Sequence, residues 1–156
     1  MTPSQLKHAA LPPGCALIHV TQEDQVCAAY LLMRQLRPQL ESVQAWVAYW
    51  QRAQAAGYRL WMLVQDEEIV ALASYRVQEN IVHGVHLYVE DLVTDDAVRS
   101  HGFGQFLMDM LKEQARVSGC GKIVLDTPLS NTLGHRFYYR QGLLAGALRF
   151  NQVLEG

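Results

Sequence analysis

Arg99-Ser100-His101-Gly102-Phe103-Gly104 stands between His86 to Thr94, which alternates as a strand does, and Gly102 to Val117, which carries helical periodicity. Two glycines at a strand-to-helix junction let the main chain approach a ligand closely. The helix start adds free N–H groups and the positive end of the helix dipole, a setting suited to phosphate oxygens, with Arg99 as a fixed positive charge. A glycine pair before a helix also serves as a plain turn, so the segment alone leaves both readings open. Residue type excludes two familiar phosphate loops. The dinucleotide fingerprint needs a third glycine where Leu107 stands, and a Walker A loop needs Lys then Ser or Thr after its glycine.

Toward the amino terminus, Cys15 to Val20 reads as a first strand, and Thr21-Gln22-Glu23-Asp24 reads as a capping box opening a helix that Pro38 ends. Val43, Trp46, Val47 and Trp50 mark a second helix, with Gly57 as its C-terminal cap. Leu60 to Gln65 and Ile69 to Gln78 read as antiparallel strands around Asp66-Glu67-Glu68, and Glu79 and Asn80 mark the next break. In the strand His86 to Thr94, alternation places Leu87, Val89, Asp91 and Val93 on one face and His86, Tyr88, Glu90, Leu92 and Thr94 on the other.

Toward the carboxyl terminus, Gly119-Cys120-Gly121 stops the long helix and Lys122 to Thr127 is strand-like. Asn131 is an N-cap for a last helix ending at Gly142, and Leu144 to Leu154 supply one more strand. A strand, a long helix and another strand imply a parallel pair with a right-handed crossover, whereas the earlier hairpin is antiparallel. The expected class is therefore α/β, of α+β type, with a mixed twisted sheet in the order β-α-α-β-β-β-α-β-α-β. Ligands are expected at the carboxyl ends of the strands, near Asp91 to Asp95 and Asp126 to Pro128.

The chain has 156 residues, half of them hydrophobic and 18% charged, which fits one domain over 1–156 with residues 1–14 as a tail. A net charge of −2 argues against nucleic acid as a partner, since such binders rely on a basic face. The longest apolar runs, Leu60 to Val64 and Ile69 to Ala73, are too short for a membrane span, and no leader-like apolar core opens the chain. The expected location is cytoplasmic. Cys15, Cys27 and Cys120 form no CxxC pair and read as reduced thiols. His83 and His86 lack a third ligand, so no metal is assigned.

Arg99-x-x-Gly102-x-Gly104, after a strand ending Glu90-Asp91-Leu92-Val93-Thr94, resembles the pyrophosphate loop of the GCN5-related N-acetyltransferase (GNAT) superfamily. Asn131, Tyr138 and Gly142 fit that family's Asn-(six residues)-Tyr-(three residues)-Gly pattern. Gly134 replaces the usual alanine, at about 1 kcal/mol of helix propensity, and reads as room for a ligand. The resemblance covers roughly residues 15 to 150 and is closest in motif to small-molecule and polyamine-type acetyltransferases. It implies acetyl-CoA as co-substrate, bound by Leu92, Val93 and Thr94 of the strand, by Arg99, Ser100, His101, Gly102, Phe103, Gly104 and Gln105 of the loop and helix start, and by Asn131. It also implies a bulge that frees main-chain N–H groups near Leu92 and Val93. The family's final strand pair looks truncated after Gly142, and an exposed edge there suggests a homodimer.

Acetyl transfer to an amine requires removal of a proton, because an alkylamine of pKa about 10.4 is neutral only about once in two thousand molecules at pH 7. The resemblance makes Glu90, beside Asp91, the general base and Tyr138 the acid that returns a proton to the departing thiolate. A solvated or ion-paired Glu90 and a core Tyr138 are the blander readings. Cys120 has no base nearby in sequence, which favours direct attack in a ternary complex over an acyl-cysteine. The acceptor is expected to be a small-molecule or peptide amine, met by the first two helices, by Leu36 to Val43 and by Asn80 to His86. Glu23, Asp24 and Glu41 are candidates to meet a cation, and Trp46, Tyr49 and Trp50 to floor a pocket. The alternatives are a non-catalytic acyl-CoA-binding regulatory module, a protein or histone-type lysine acetyltransferase, and a structural domain with no ligand.

Overall fold

A computed structural model describes residues 10 to 156, so most of the expected tail over 1–14 lies outside the described residues. The chain divides into two compact units, one ending at Leu125 and the other spanning Asp126–Gly156. The first unit holds five strands, β1 (Cys15–His19), β2 (Arg59–Gln65), β3 (Glu68–Asn80), β4 (Gly84–Thr94) and β5 (Lys122–Leu125), lying side by side in chain order. The pairs β1–β2, β2–β3 and β3–β4 are antiparallel and β4–β5 is parallel, with helix α3 (Phe103–Val117) as the crossover. The mixed sheet is as expected.

Helices α1 (Glu23–Leu36) and α2 (Val43–Ala55) lie between β1 and β2. The cap of α1 sits one residue later than the expected box. Gln25 Oε1 accepts from the main-chain N–H groups of Thr21 (2.9 Å) and Gln22 (3.0 Å), because the longer amide reaches back where Asp24 cannot. Ser42 Oγ accepts from Ala45 N at 3.0 Å to start α2, and Gly57, at φ +92°, ends it as expected, with Tyr58 N reaching back to Ala53 O. The β2–β3 turn holds Asp66 and Glu67 at φ +49° and +70°, so two acidic residues adopt the left-handed conformation that a tight two-residue hairpin demands. The strand β3 runs on through Glu79 and Asn80, where the sequence suggested a break.

Each face of the sheet has its own core. Val26, Met33, Trp46, Trp50, Leu60 and Leu72 pack together under α1 and α2. On the opposite face Trp61 meets Tyr75 edge to face, ring centroids 5.1 Å apart, and α3 buries Phe103, Phe106, Leu107, Met110 and Leu111 against strands β3, β4 and β5. No helix among the described residues is long and apolar enough to cross a membrane.

The second unit contains one helix, α4 (Thr132–Arg140), and none of its residues is buried. The tenth element expected over Leu144 to Leu154 is not formed. Ala145, Gly146 and Ala147 give that stretch little side chain to pack on a pleated surface, and Leu144, Leu148 and Phe150 are exposed.

Candidate active site

One extra residue in β4 organises the site. Tyr75 of β3 lies opposite Val89 and its neighbour Ser74 lies opposite Asp91, so Glu90 has no partner and forms a β-bulge. A bulge reverses the phase of alternation. Val89 shares the face of Tyr75, toward α3, while Val93 belongs to the core under α1 and α2 and Asp91 shares the face of Ser74. This corrects the single alternation expected for the strand, which grouped Leu87 and Val89 with Asp91 and Val93. The gain is chemical: two consecutive carboxylates, Glu90 and Asp91, reach partners on the same side of the sheet.

The parallel ladder to β5 runs from His86 opposite Lys122 to Val89 opposite Leu125 and stops just before the bulge. From Glu90 to Thr94 the strand keeps β3 on one side and has no strand neighbour among the described residues on the other. Asp95 N donates to Val70 O, so by the register Val93 also bonds toward β3, and it is Leu92 and Thr94 whose main-chain groups face the open edge, which corrects the expectation of free N–H groups on both Leu92 and Val93. The bulge itself falls at Glu90, two residues before Leu92.

Both carboxylates already have partners within the protein. Asp91 Oδ1 accepts from Arg37 Nε at 2.7 Å, and its Oδ2 accepts from Ser74 Oγ at 2.6 Å and Tyr58 OH at 3.3 Å. Arg37 Nη2 also donates to the main-chain oxygen of Glu90 at 2.8 Å. Glu90 Oε1 lies 2.6 Å from Arg76 Nε, an ion pair whose N–H is not aligned on the oxygen, and Tyr49 OH donates to Oε2 at 3.4 Å. Burial works against the charge of Arg76, but Glu90 and Tyr49 outweigh it and raise its pKa. Burial first, then the Asp91 charge, pushes the Tyr58 phenol well up, and burial followed by Glu90 raises Tyr49.

Arg37, Arg76, Ser74 and Tyr58 were not singled out in the sequence. Ser74 and Arg76 did leave a signal, two polar residues at i and i+2 in a largely apolar strand. Arg37 was covered only as part of Leu36 to Val43, the segment expected to meet the acceptor, because its own place follows from where α1 ends.

Beside this cluster lies an open cleft of about 380 Å³, lined by Arg37, Trp46, Tyr49, Tyr88, Glu90 and Asp91 among others. Trp46 and Tyr49 are the part of the expected aromatic floor that reaches it, their rings stacked at 6.1 Å, while Trp50 stays in the core. Glu23, Asp24 and Glu41 are exposed and do not line it.

The loop before α3 is joined to the same region through Gln35, which donates to Asp95 Oδ1 at 3.4 Å and accepts from Asp96 N at 3.2 Å. Ser100 at φ +69° and Gly102 at φ +79° turn the chain into α3. Gly102 is the N-cap and supplies no side-chain acceptor, and the first turn contains no acidic residue. The N–H groups of Phe103, Gly104 and Gln105 thus have no intrahelical partner, and nothing lies within 4 Å of a Cβ placed on Gly102. An anion fits there. Arg99 is exposed and ion-paired with Asp96, and His101 bonds Val98 O through Nδ1 at 2.7 Å. Phe103 is buried, so its main chain rather than its ring faces a ligand.

In the second unit Asn131 caps α4. Its Oδ1 accepts from Gly134 N at 3.1 Å and its Nδ2 donates to Thr127 Oγ1 at 3.1 Å. A Cβ on residue 134 would lie 2.7 Å from Asn131 Cγ. The space that Gly134 opens is thus filled by the cap, which corrects its reading as room for a ligand. Tyr138 is half-buried and meets the Phe137 ring edge to face at 5.3 Å. His135 Nε2 lies 2.9 Å from Pro128 O, and Tyr139 is exposed.

Comparison with known proteins agrees with this arrangement. Residues 27–143 match the model of the acetyltransferase (GNAT) family. The chain is 33% identical over 129 residues to an uncharacterized N-acetyltransferase of Bacillus subtilis, YhdJ, covering 78% of this chain and 88% of that one. It is 35% identical over 80 residues to glucosamine 6-phosphate N-acetyltransferase of Trypanosoma brucei brucei, covering 47% of this chain and 54% of that one. Among solved structures, the aminoglycoside acetyltransferase AAC(6')-Iy with a bisubstrate analogue superposes at a TM-score of 0.77, with 15% identity over 90% of this chain and 98% of that one, a likeness of fold. With its mixed five-stranded sheet, its bulged β4 and its open helix start, the chain belongs to the acetyltransferase (GNAT) family.

Proposed function

We propose that this chain moves an acetyl group from acetyl-CoA to a primary amine of a small molecule, by direct attack in a ternary complex. The observation that carries the reading is the bulge at Glu90, which puts a carboxylate into the cleft and leaves the next residues of β4 on an open edge. The uncapped start of α3 fits the pyrophosphate of CoA, with Arg99 and the main chain of Ser100 to Gln105 as its holders and Asn131 as a further contact. Leu92 and Thr94 would hold the adjoining arm along the open edge. Bound there, acetyl-CoA supplies the activated acetyl group.

Glu90 takes the ammonium proton, directly or through a water. The main-chain N–H of Leu92, on the open edge, stabilises the oxygen on which charge develops. Tyr138 returns a proton to the departing sulfur. Relatives support a small-molecule acceptor, since they include enzymes named for glucosamine 6-phosphate and for aminoglycosides. A bound CoA or acetyl-CoA in solved structures of the same fold supports the co-substrate.

Thiol release from acetyl-CoA with a panel of amines tests this. Glu90→Gln is expected to lower kcat at least tenfold and Tyr138→Phe several-fold, whereas turnover unchanged within threefold in both variants removes the catalytic assignment. A non-catalytic CoA-binding module is the second reading, because Arg76 and Tyr49 already hold Glu90. It predicts thermal stabilisation by acetyl-CoA without thiol release.

The family match runs through both units, which supports one domain. The exposed Leu144, Leu148, Phe150, Val153 and Leu154 support a homodimer in which a second copy covers them, checked by sedimentation equilibrium. Cys15, Cys27 and Cys120 are unpaired, which fits a reducing, cytoplasmic location.

A further inference from the structure

The cleft beside the bulge is electrically balanced, and its balance restricts what it accepts. Arg37 and Arg76 oppose Glu90 and Asp91, so the four formal charges sum to zero. Asp91 has both oxygens engaged, Oδ1 by Arg37 and Oδ2 by Ser74 and Tyr58. Glu90 has Oε1 against Arg76 and Oε2 under Tyr49.

Arg37 differs from these groups. Its Nε and Nη2 donate to Asp91 and to the Glu90 main chain, but Nη1 has no acceptor among the described residues. The Arg37 side chain is 40% exposed against 12% for Asp91, and it lines the cleft. The charged valence that the cleft still offers is therefore a guanidinium N–H edge. A polyamine would bring several ammonium groups to carboxylates already held by the protein, leaving most of its charge unmatched. A compact molecule with one amine and one oxyanion matches better: the amine meets Glu90 and the oxyanion meets the free edge of Arg37, whose planar fork suits carboxylate and phosphate alike. Some 380 Å³ is room for a molecule of amino-acid to monosaccharide size.

We infer that Arg37 selects the acceptor, and that the acceptor is a compact small-molecule amine carrying an oxyanion. This rests on reading the cleft as the acceptor site of an acetyltransferase.

Matched acceptors test it on the unmodified protein. Glucosamine is compared with glucosamine 6-phosphate, and β-alaninamide with β-alanine, by kcat/KM for thiol release from acetyl-CoA, with spermidine as the polycation. The anionic member of at least one pair is expected to win by tenfold or more, and the winning pair tells phosphate from carboxylate. Equal or reversed preference in both pairs, or spermidine as the best acceptor, overturns the inference while acetyl transfer stands. In Arg37→Gln, shown folded by its thermal transition, the preference is expected to shrink below threefold, with partial rescue in Arg37→Lys. An unchanged ratio in folded Arg37→Gln removes Arg37 as the selector. If no amine is turned over, the enzymatic reading fails and calorimetric binding of the same pairs decides: tenfold tighter binding of an anionic member supports the subsite, and equal or absent binding overturns it.

Discussion

Arg37 Nε lies 2.7 Å from Asp91 Oδ1 and so ties the residue that follows α1 to the first residue after the β4 bulge. Asp91 is the hub of that junction, because Ser74 and Tyr58, both fully buried, also donate to it. Removing the carboxylate leaves two buried hydroxyls and a guanidinium without their acceptor. Asp91→Ala is expected to cost about 2 to 4 kcal/mol and Asp91→Asn, which keeps one oxygen, about 1 to 2. Urea unfolding checks this, and an unmoved midpoint in Asp91→Ala would show that the hub adds nothing to stability.

Deleting Glu90 removes the bulge rather than only a carboxylate. Asp91 would then directly follow Val89, each keeping its present face and its partner on β3, Ser74 and Tyr75, and Val93 would stay in the core under α1 and α2. The ladder to β3 becomes regular, and what is lost is the local twist of the bulge together with the carboxylate it carries into the cleft. The deletion is therefore expected to fold, with thiol-release activity at least tenfold lower than Glu90→Gln, which preserves the bulge. Equal activity in the deletion and in Glu90→Gln would reduce the bulge to a carrier of one side chain.

Most of the scaffold was legible in the sequence because it depends on local chemistry. Gly57 caps a helix wherever it stands, and apolar spacing such as Trp46 to Trp50 marks a buried face. The site was legible only in part. Glu90 and Asp91 were visible as acidic residues late in a strand, but a bulge is set by pairing with β3, and no pattern within β4 reports which residue of Tyr75 or Ser74 stands opposite. Arg37 and Arg76 come from segments 54 and 14 positions away from their carboxylates, so their role needs the tertiary fold. The missing last strand has the same origin, since Leu144 to Leu154 carry apolar residues but no ladder partner among the described residues.

Buried tyrosines set an alkaline limit. Burial pushes the Tyr75 phenol up to about 12, with the Arg59 charge pulling the other way, and Tyr58 moves in the same direction. An unfolded tyrosine ionises near pH 10, so above that pH the unfolded chain has released a proton that the folded chain retains. Stability is complete below about pH 10 and falls by about 1.4 kcal/mol per pH unit for each such group, until the folded group ionises as well. Urea midpoints measured from about pH 9 to pH 11 should decline, and the decline should be one proton shallower in Tyr75→Phe. A slope equal to that of the parent protein would contradict the assignment of Tyr75.

Gly134→Ala tests whether that glycine serves the helix or a ligand. By propensity alone, alanine inside α4 gains about 1 kcal/mol. The added Cβ, however, would sit 2.7 Å from Asn131 Cγ, and the displaced amide could no longer accept from residue 134 or donate to Thr127. Losing an Asn cap costs about 1 to 2 kcal/mol, which meets or exceeds the gain. Gly134→Ala should therefore leave α4 no more stable, with amide exchange over 132–140 equal to or faster than in the parent. The sign should reverse once the cap is gone: in an Asn131→Ala background the same change has nothing to displace, and α4 should exchange more slowly than in Asn131→Ala alone. Slower exchange in the Gly134→Ala single variant would mean that the cap yields without loss, and that the glycine has a purpose other than making room for Asn131.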